Sequence, residues 1–280
     1  MGTILLWITG ALLFGLICKH ISLPVVFGFI AAGYCFGVTS FADKEGILTI
    51  PSEIGVELLL FSLGLKIKPS SFLNPDLILV FLIHSIAVAL TYYFLIDLEA
   101  EPVMKILLCI ALTLSSTIIA SKSLEGRQEL TSFHGRLAII FLVFQDILAL
   151  FLLLYSTSGK ISFDAFYLIF LVFAVPLIKK ILSSLQKSDE LELIGAIVIA
   201  LFLGAFLFKI AGLTGELGAL IMGILLSRHE AAERLSKKLW SLREILLLAF
   251  FISLGMKLEL NFQTILSSII ILAAITIKSV

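Results

Sequence analysis

Residues 136–157, RLAIIFLVFQDILALFLLLYST, form an apolar run of bilayer-spanning length with one ionisable group inside it, Asp146. Asp146 stands ten residues beyond Arg136, about 15 Å along a helix axis at ~1.5 Å per residue. That is about half of a hydrocarbon core of roughly 30 Å. A carboxylate at that depth costs a few kcal/mol or more, and such residues usually mark an ion or proton pathway. Gln145 beside it adds an amide that both donates and accepts. The structural alternative is a protonated Asp that bonds a neighbouring helix as packing glue.

The rest of the chain agrees with a membrane solvent. Of 280 residues, 60% are hydrophobic and 14% charged, with a mean hydropathy of +1.16; soluble domains carry about 25% charged residues. The charges fall mostly in short clusters between apolar runs. No basic tract points to nucleic acid, and the net charge is zero. Cys18, Cys35 and Cys109 lie inside apolar runs without metal-ligand or disulfide spacing, and read as reduced packing residues. No residue pattern calls for a cofactor or a resident metal, and no Ser/His or HExxH arrangement supports an intramembrane hydrolase. The first apolar run lacks the basic flank and cleavage site of a signal peptide, and the start lacks a myristoylation signal.

Eleven helical segments are expected, at 3–19, 23–38, 51–66, 76–96, 103–123, 136–157, 163–183, 191–210, 214–227, 240–257 and 263–280. Pro24, Pro51, Pro75 and Pro102 stand at helix entrances, where a missing N–H costs little, and Pro176 lies inside a segment. The short, glycine-bearing segments 23–38 and 214–227 are expected to be tilted or sunk against neighbours. Connections after odd-numbered segments hold fourteen Lys and Arg, those after even-numbered ones five. The bias puts the N-terminus outside and the odd-numbered loops in the cytoplasm.

The chain also repeats itself. Lys19, Leu23, Gly28 and Gly33 recur as Lys209, Leu213, Gly218 and Gly223, an offset of 190. Glu53 and the run Ser62 to Lys66 recur as Glu244 and Ser253 to Lys257, an offset of 191. The first three segments thus match the eighth to tenth. Seven segments, an odd number, separate the partners, so the copies cross the membrane in opposite senses. That is the inverted-repeat plan of secondary transporters, which bind substrate at the midplane beside interrupted helices.

The best place for an interruption is Thr113-Leu114-Ser115-Ser116-Thr117, although no Gly or Pro marks it. Ser115 lies about 18 Å into its segment at ~1.5 Å per residue, near the depth of Asp146 from the other side. Hydroxyls and freed carbonyls there would replace the water shell of a cation; the bland alternative is Ser/Thr bonding to the preceding turn. Glu57 reads as a snorkelling acid rather than a funnel lining. Glu216 suits a helix N-terminus, Arg243 and Glu244 a local pair, and His84 a packing role. Lys278 divides evenly between a counter-charge to Asp146 and a snorkelling lysine at the inner interface.

The stretches GVELLLFSLGL at 55–65, ALTLSST at 111–117, HGRLAIIFLVFQD at 134–146, GALIMGILLS at 218–227 and AFFISLGM at 249–256 resemble Kef-type monovalent cation:proton antiporters. The resemblance runs over essentially all of 1–280, with Glu57 standing where that family is usually apolar. It implies an all-α, multi-pass, inverted-repeat antiporter fold of thirteen helices, about eleven of them present, in a homodimer in the bacterial inner membrane. It assigns scaffold and dimer helices to 1–68 and 189–260, core helices to 69–158, a linker helix to 159–188 and the start of a second core repeat to 261–280. Asp146 would bind cation or proton, with Gln145, Ser115, Ser116 and Thr117 around it. The cargo would be potassium or sodium against protons; the rival is a gated cation channel using the same oxygens. The repeat offset puts the partners of Ser115 and Asp146 beyond Val280. The expectation is therefore a core without its crossing helix, unable to exchange alone, and without the family's nucleotide-binding regulatory domain.

Overall fold

A computed structural model describes residues 2–39, 41–67, 69, 74–95, 101–156, 167–186, 188–259, 261 and 268. The regular structure among them is entirely helical: α1 (Gly2–His20), α2 (Val25–Gly37), α3 (Thr49–Gly64), α4 (Pro75–Leu95), α5 (Pro102–Thr113), α6 (Thr117–Gly126), α7 (Phe133–Ser156), α8 (Tyr167–Leu185), α9 (Asp189–Val198), α10 (Leu207–Ile210), α11 (Gly215–Leu226) and α12 (Ala232–Met256). A π-helical stretch, Ile199–Phe206, joins α9 to α10. By length and composition five stretches can cross a bilayer: Gly2–His20, Pro75–Phe94, Pro102–Gly126, Asp189–Ile210 and Ala232–Met256. The chain is a multi-pass membrane protein.

Three expected segments differ. Segment 103–123 is two helices, α5 and α6, with a break between them. Segment 191–210 carries the π stretch, which contains Gly204 but no Pro. Segment 240–257 begins two turns earlier, at Ala232, so Arg234, Lys237 and Lys238 stand on a helix rather than in a loop. No breaker interrupts 232–240, and Lys237 pairs with Glu233 one turn before it at 2.7 Å. The last segment, 263–280, lies outside the described residues apart from Ser268.

The chain forms two compact units. The first is Met1–Lys68 with Ile161–Leu258, which includes α8; the second is Pro69–Lys160 with Glu259–Val280.

In the first unit α3 packs on α11 and α12, α2 on α1 and α12, and α11 on the π stretch. Glycines let these backbones meet. A Cβ at Gly28 would lie 2.5 Å from the Phe14 carbonyl oxygen, and one at Gly218 2.3 Å from that of Gly204. Gly33 meets the Ile252 carbonyl at 2.2 Å, and Gly223 meets that of Phe61 at 2.2 Å. Gly64 meets Leu220 at 2.4 Å, and Gly255 meets Ile30 at 2.1 Å. In each couple one contact maps onto the other by the sequence offsets of 190 and 191. No side chain fits at such distances, so these positions require glycine. Of the two short helices α11 is sunk, burying Leu217, Gly218, Ala219, Leu220, Met222, Gly223 and Leu226, whereas α2 buries only Gly28, Ala32 and Gly33.

A charged clamp ties α9 to α12. Ser188 caps α9, accepting from the Leu191 N–H, and acids fill its first turn, where the helix dipole favours them. Glu192, 1% exposed, accepts from Arg234 Nε at 3.0 Å and Nη2 at 2.7 Å, and from the Lys238 ammonium. A buried carboxylate tolerates its site only with such partners.

In the second unit α4 packs on α5, and α7 on α5 and α6. Phe81 of α4 sits against Phe141 and Phe144 of α7, with ring centroids 5.8 and 5.2 Å apart.

Candidate ion-binding site

The break between α5 and α6 is built from short polar side chains. Thr113 Oγ1 donates to the Ile110 carbonyl at 2.7 Å and the Leu114 N–H to the Ala111 carbonyl at 3.1 Å, which closes α5. Leu114 then turns extended (φ −72°, ψ 149°), as does Ser116 (φ −74°, ψ 111°). Ser116 restarts the helix as its N-cap, its Oγ accepting from the Ile119 N–H at 3.4 Å. Ser-Ser-Thr thus does here what Gly or Pro does elsewhere, by offering the backbone a side-chain alternative to the helical ladder.

α7 supplies the partners. Gln145 Nε2 donates to the Thr113 carbonyl at 3.2 Å, and its Oε1 accepts from the Ser115 N–H at 3.0 Å. One buried amide therefore holds both edges of the break, and its two ends match a carbonyl and an N–H that the interrupted ladder leaves over. On the next residue, Thr117 Oγ1 lies 3.1 Å from each Asp146 carboxylate oxygen and donates to them. Thr117 is the first residue of α6, so the carboxylate stands at a helix N-terminus, where the backbone dipole favours negative charge. Thr113, Thr117 and Gln145 are buried, Asp146 is half-buried, and Ser115 and Ser116 are exposed.

Asp146, Gln145, Ser115, Ser116 and Thr117 are thus brought together within one unit by the break between α5 and α6 and by α7. The spent groups are Ser116 Oγ, used as a cap, and the Gln145 amide, used on the backbone. The Thr113 carbonyl, one of the freed carbonyls expected at the break, accepts from Gln145. Lys278 lies outside the described residues. A carboxylate with a donating hydroxyl beside it takes up a proton or a small cation through oxygen ligands alone. Among the described residues no group of three His, Cys, Asp or Glu is placed to hold a metal.

The other singled-out charges serve the first unit. Glu57 does not snorkel: it is 5% exposed, and its Oε1 lies 2.9 Å from Lys209 Nζ. The same ammonium bonds Glu53 at 2.8 Å. Lys209 lies far along the chain from both acids, so local sequence carried no sign of the pair. Glu216 sits in the first turn of α11, which Thr214 caps, and lines the same pocket. Arg243 does not open a helix but is wholly buried within α12, its Nε 3.5 Å from Glu244. His84 is half-buried on α4. Cys109 is buried as expected, whereas Cys35 faces outward on α2.

The transmembrane sodium/hydrogen exchanger family model matches residues 8–280. The glutathione-regulated potassium-efflux system protein KefC of Klebsiella pneumoniae (strain 342) is 30% identical over 277 residues, covering 91% of this chain and 44% of that protein. Its counterpart in Shigella flexneri serotype 5b (strain 8401) is 29% identical over 282 residues, with the same coverage, and that of Enterobacter sp. (strain 638) is 30% identical over 277. The chain spans slightly less than half the length of these curated relatives. A membrane chain whose match runs from the first helix to the last residue belongs to the sodium/hydrogen exchanger family.

Proposed function

We propose that the protein exchanges a monovalent cation, potassium or sodium, for protons, with Asp146 carrying either ion in turn. The observation that carries this reading is the Asp146 carboxylate bonded to Thr117 where α5 gives way to α6. Proton and cation compete for one carboxylate, so their binding is mutually exclusive, and alternating access converts that exclusion into coupled flux. Gln145 holds the break in shape, and Ser115, Ser116 and Thr117 surround the cation with oxygen. The name of the relatives, potassium-efflux system proteins, favours potassium as cargo. We further read the first unit as scaffold and dimer surface and the second as the mobile core, in an inverted repeat supported by the matched glycine contacts. The N-terminus faces outside in this reading, in the inner membrane of a bacterium, as the Lys and Arg bias suggests.

The test is counterflow in proteoliposomes holding the protein together with the second core repeat expected beyond Val280, since residues 1–280 alone are expected not to exchange. An outward potassium or sodium gradient should drive protons inward, and Asp146→Asn should abolish this while the variant still inserts. The amide keeps the size of the carboxylate but cannot titrate. Cation flux with no obligatory proton movement would replace the antiporter with a gated channel, and pH-dependent exchange in the variant would remove Asp146 from the mechanism.

A further inference from the structure

The second unit carries a groove that the ion site does not use. Its walls are Leu82, Ile86 and Leu90 of α4, Ile106 and Ile110 of α5 and Leu148 of α7, and almost all of its lining is apolar. It runs along α4 from Phe81 to Tyr93, about 18 Å at ~1.5 Å per residue. One leaflet of hydrocarbon is about 15 Å deep, half of the core thickness of roughly 30 Å. The groove thus has the length of one acyl chain standing in one leaflet.

On α7 it reaches Leu148, two residues past Asp146. Its Tyr93 end lies where α4 finishes and α5 begins, at the ends of two apolar stretches of membrane length. There Lys105 does not extend away: its Nζ sits over the Tyr93 ring, 4.7 Å from the centroid. Tyr93 itself lines the groove. A cation is therefore fixed at the mouth of an apolar channel, one leaflet deep, on a protein whose surrounding solvent is lipid. Aromatic and lysine side chains take this interfacial position in membrane proteins because one end is apolar and the other meets headgroups.

We propose that a bilayer phospholipid occupies this groove, one acyl chain between α4, α5 and α7 and its phosphodiester at Lys105. The chain supplies the dispersion contacts that the apolar walls otherwise lack, and the phosphate neutralises the fixed ammonium. Because the chain would meet α7 at Leu148, two residues from Asp146, the lipid would brace the helix that carries the site.

The test is photolabelling of the purified, reconstituted protein with a phospholipid carrying a diazirine near the end of one acyl chain, mapped by peptide mass spectrometry. Label should concentrate at Ile110 and Leu148 severalfold over the exposed face of α1, at Leu5, Leu12 and Leu16. Ala89→Trp, which fills the groove, should remove that enrichment. Lys105→Ala should reduce it and Lys105→Arg restore it, with helical content and elution unchanged in all three. A diazirine carried by a phosphate-free diacylglycerol should label the groove no more than α1. Even labelling over all outward helices, enrichment that survives Ala89→Trp, equal labelling by diacylglycerol, or a groove shielded from lipid by a second copy or another segment would each overturn the proposal.

Discussion

The two units handle buried acids in opposite ways. In the first, Glu57 and Glu192 meet Lys209, Arg234 and Lys238, cations fixed to the same chain, on helices whose backbones touch through glycine. In the second, Asp146 is gripped by the Thr117 hydroxyl at a point where the helix beside it stops and restarts. A fixed ammonium or guanidinium cannot leave with a cargo, so acids of the first kind stay structural. A hydroxyl accepts either a neutral or an ionised carboxyl as partner, so the second kind suits an acid that changes its occupant. On the function proposed above, rigidity belongs to the first unit and exchange to the second.

That division can be broken first at its rigid side. Gly33→Leu and Gly223→Leu both drive a side chain into a carbonyl 2.2 Å from the Cβ position, beyond the usual 1–3 kcal/mol of overpacking. Both variants should fail to yield folded protein, judged by size-exclusion profile and thermal melting. Two well-behaved variants would mean that the close approach is not required. Gln145→Leu attacks the other side. It strands the Thr113 carbonyl and the Ser115 N–H, at about 1–3 kcal/mol each, so the melting temperature should drop and exchange should be lost.

Finer contrasts follow. Thr117→Val keeps shape and removes the hydroxyl that meets Asp146, costing about 1 kcal/mol of stability but slowing exchange at least tenfold. Glu57→Gln should do the reverse, lowering stability by about 1 kcal/mol because Lys209 is 45% exposed and retains Glu53, with exchange near the unmodified rate. If Glu57→Gln stops exchange while Thr117→Val does not, the roles of the two units are the other way round. The smallest effect belongs to Gly126→Ala: nothing stands within 4 Å of its Cβ position, so stability should change by less than about 0.5 kcal/mol.

What could be read in advance followed the range of the forces involved. Apolar runs report helices because lipid imposes one solution on the backbone, and the repeat was legible since glycine contacts tolerate no substitute. The break at 114–116 was visible only as a cluster of hydroxyls, because its decisive partner, Gln145, comes from another helix. Glu57 misled for the same reason: its partner Lys209 is distant in sequence, and its repeat counterpart, Leu248, is apolar. The π stretch at 199–206 holds one glycine, Gly204, whose close approach to α11 is a tertiary contact that local sequence does not report. The early start of α12 was hidden by its charges, which read as a loop until Glu192 and Asp189 are seen to meet them.

The central claim is that proton and cation exclude one another at Asp146. It is tested most directly by adding potassium or sodium to the purified protein in weakly buffered solution and recording released protons with a pH dye. The unmodified protein should release protons as cation saturates, with an apparent cation affinity that weakens as pH falls, and Asp146→Asn should release none. Cation binding without proton release, or equal release from Asp146→Asn, would contradict a shared carboxylate.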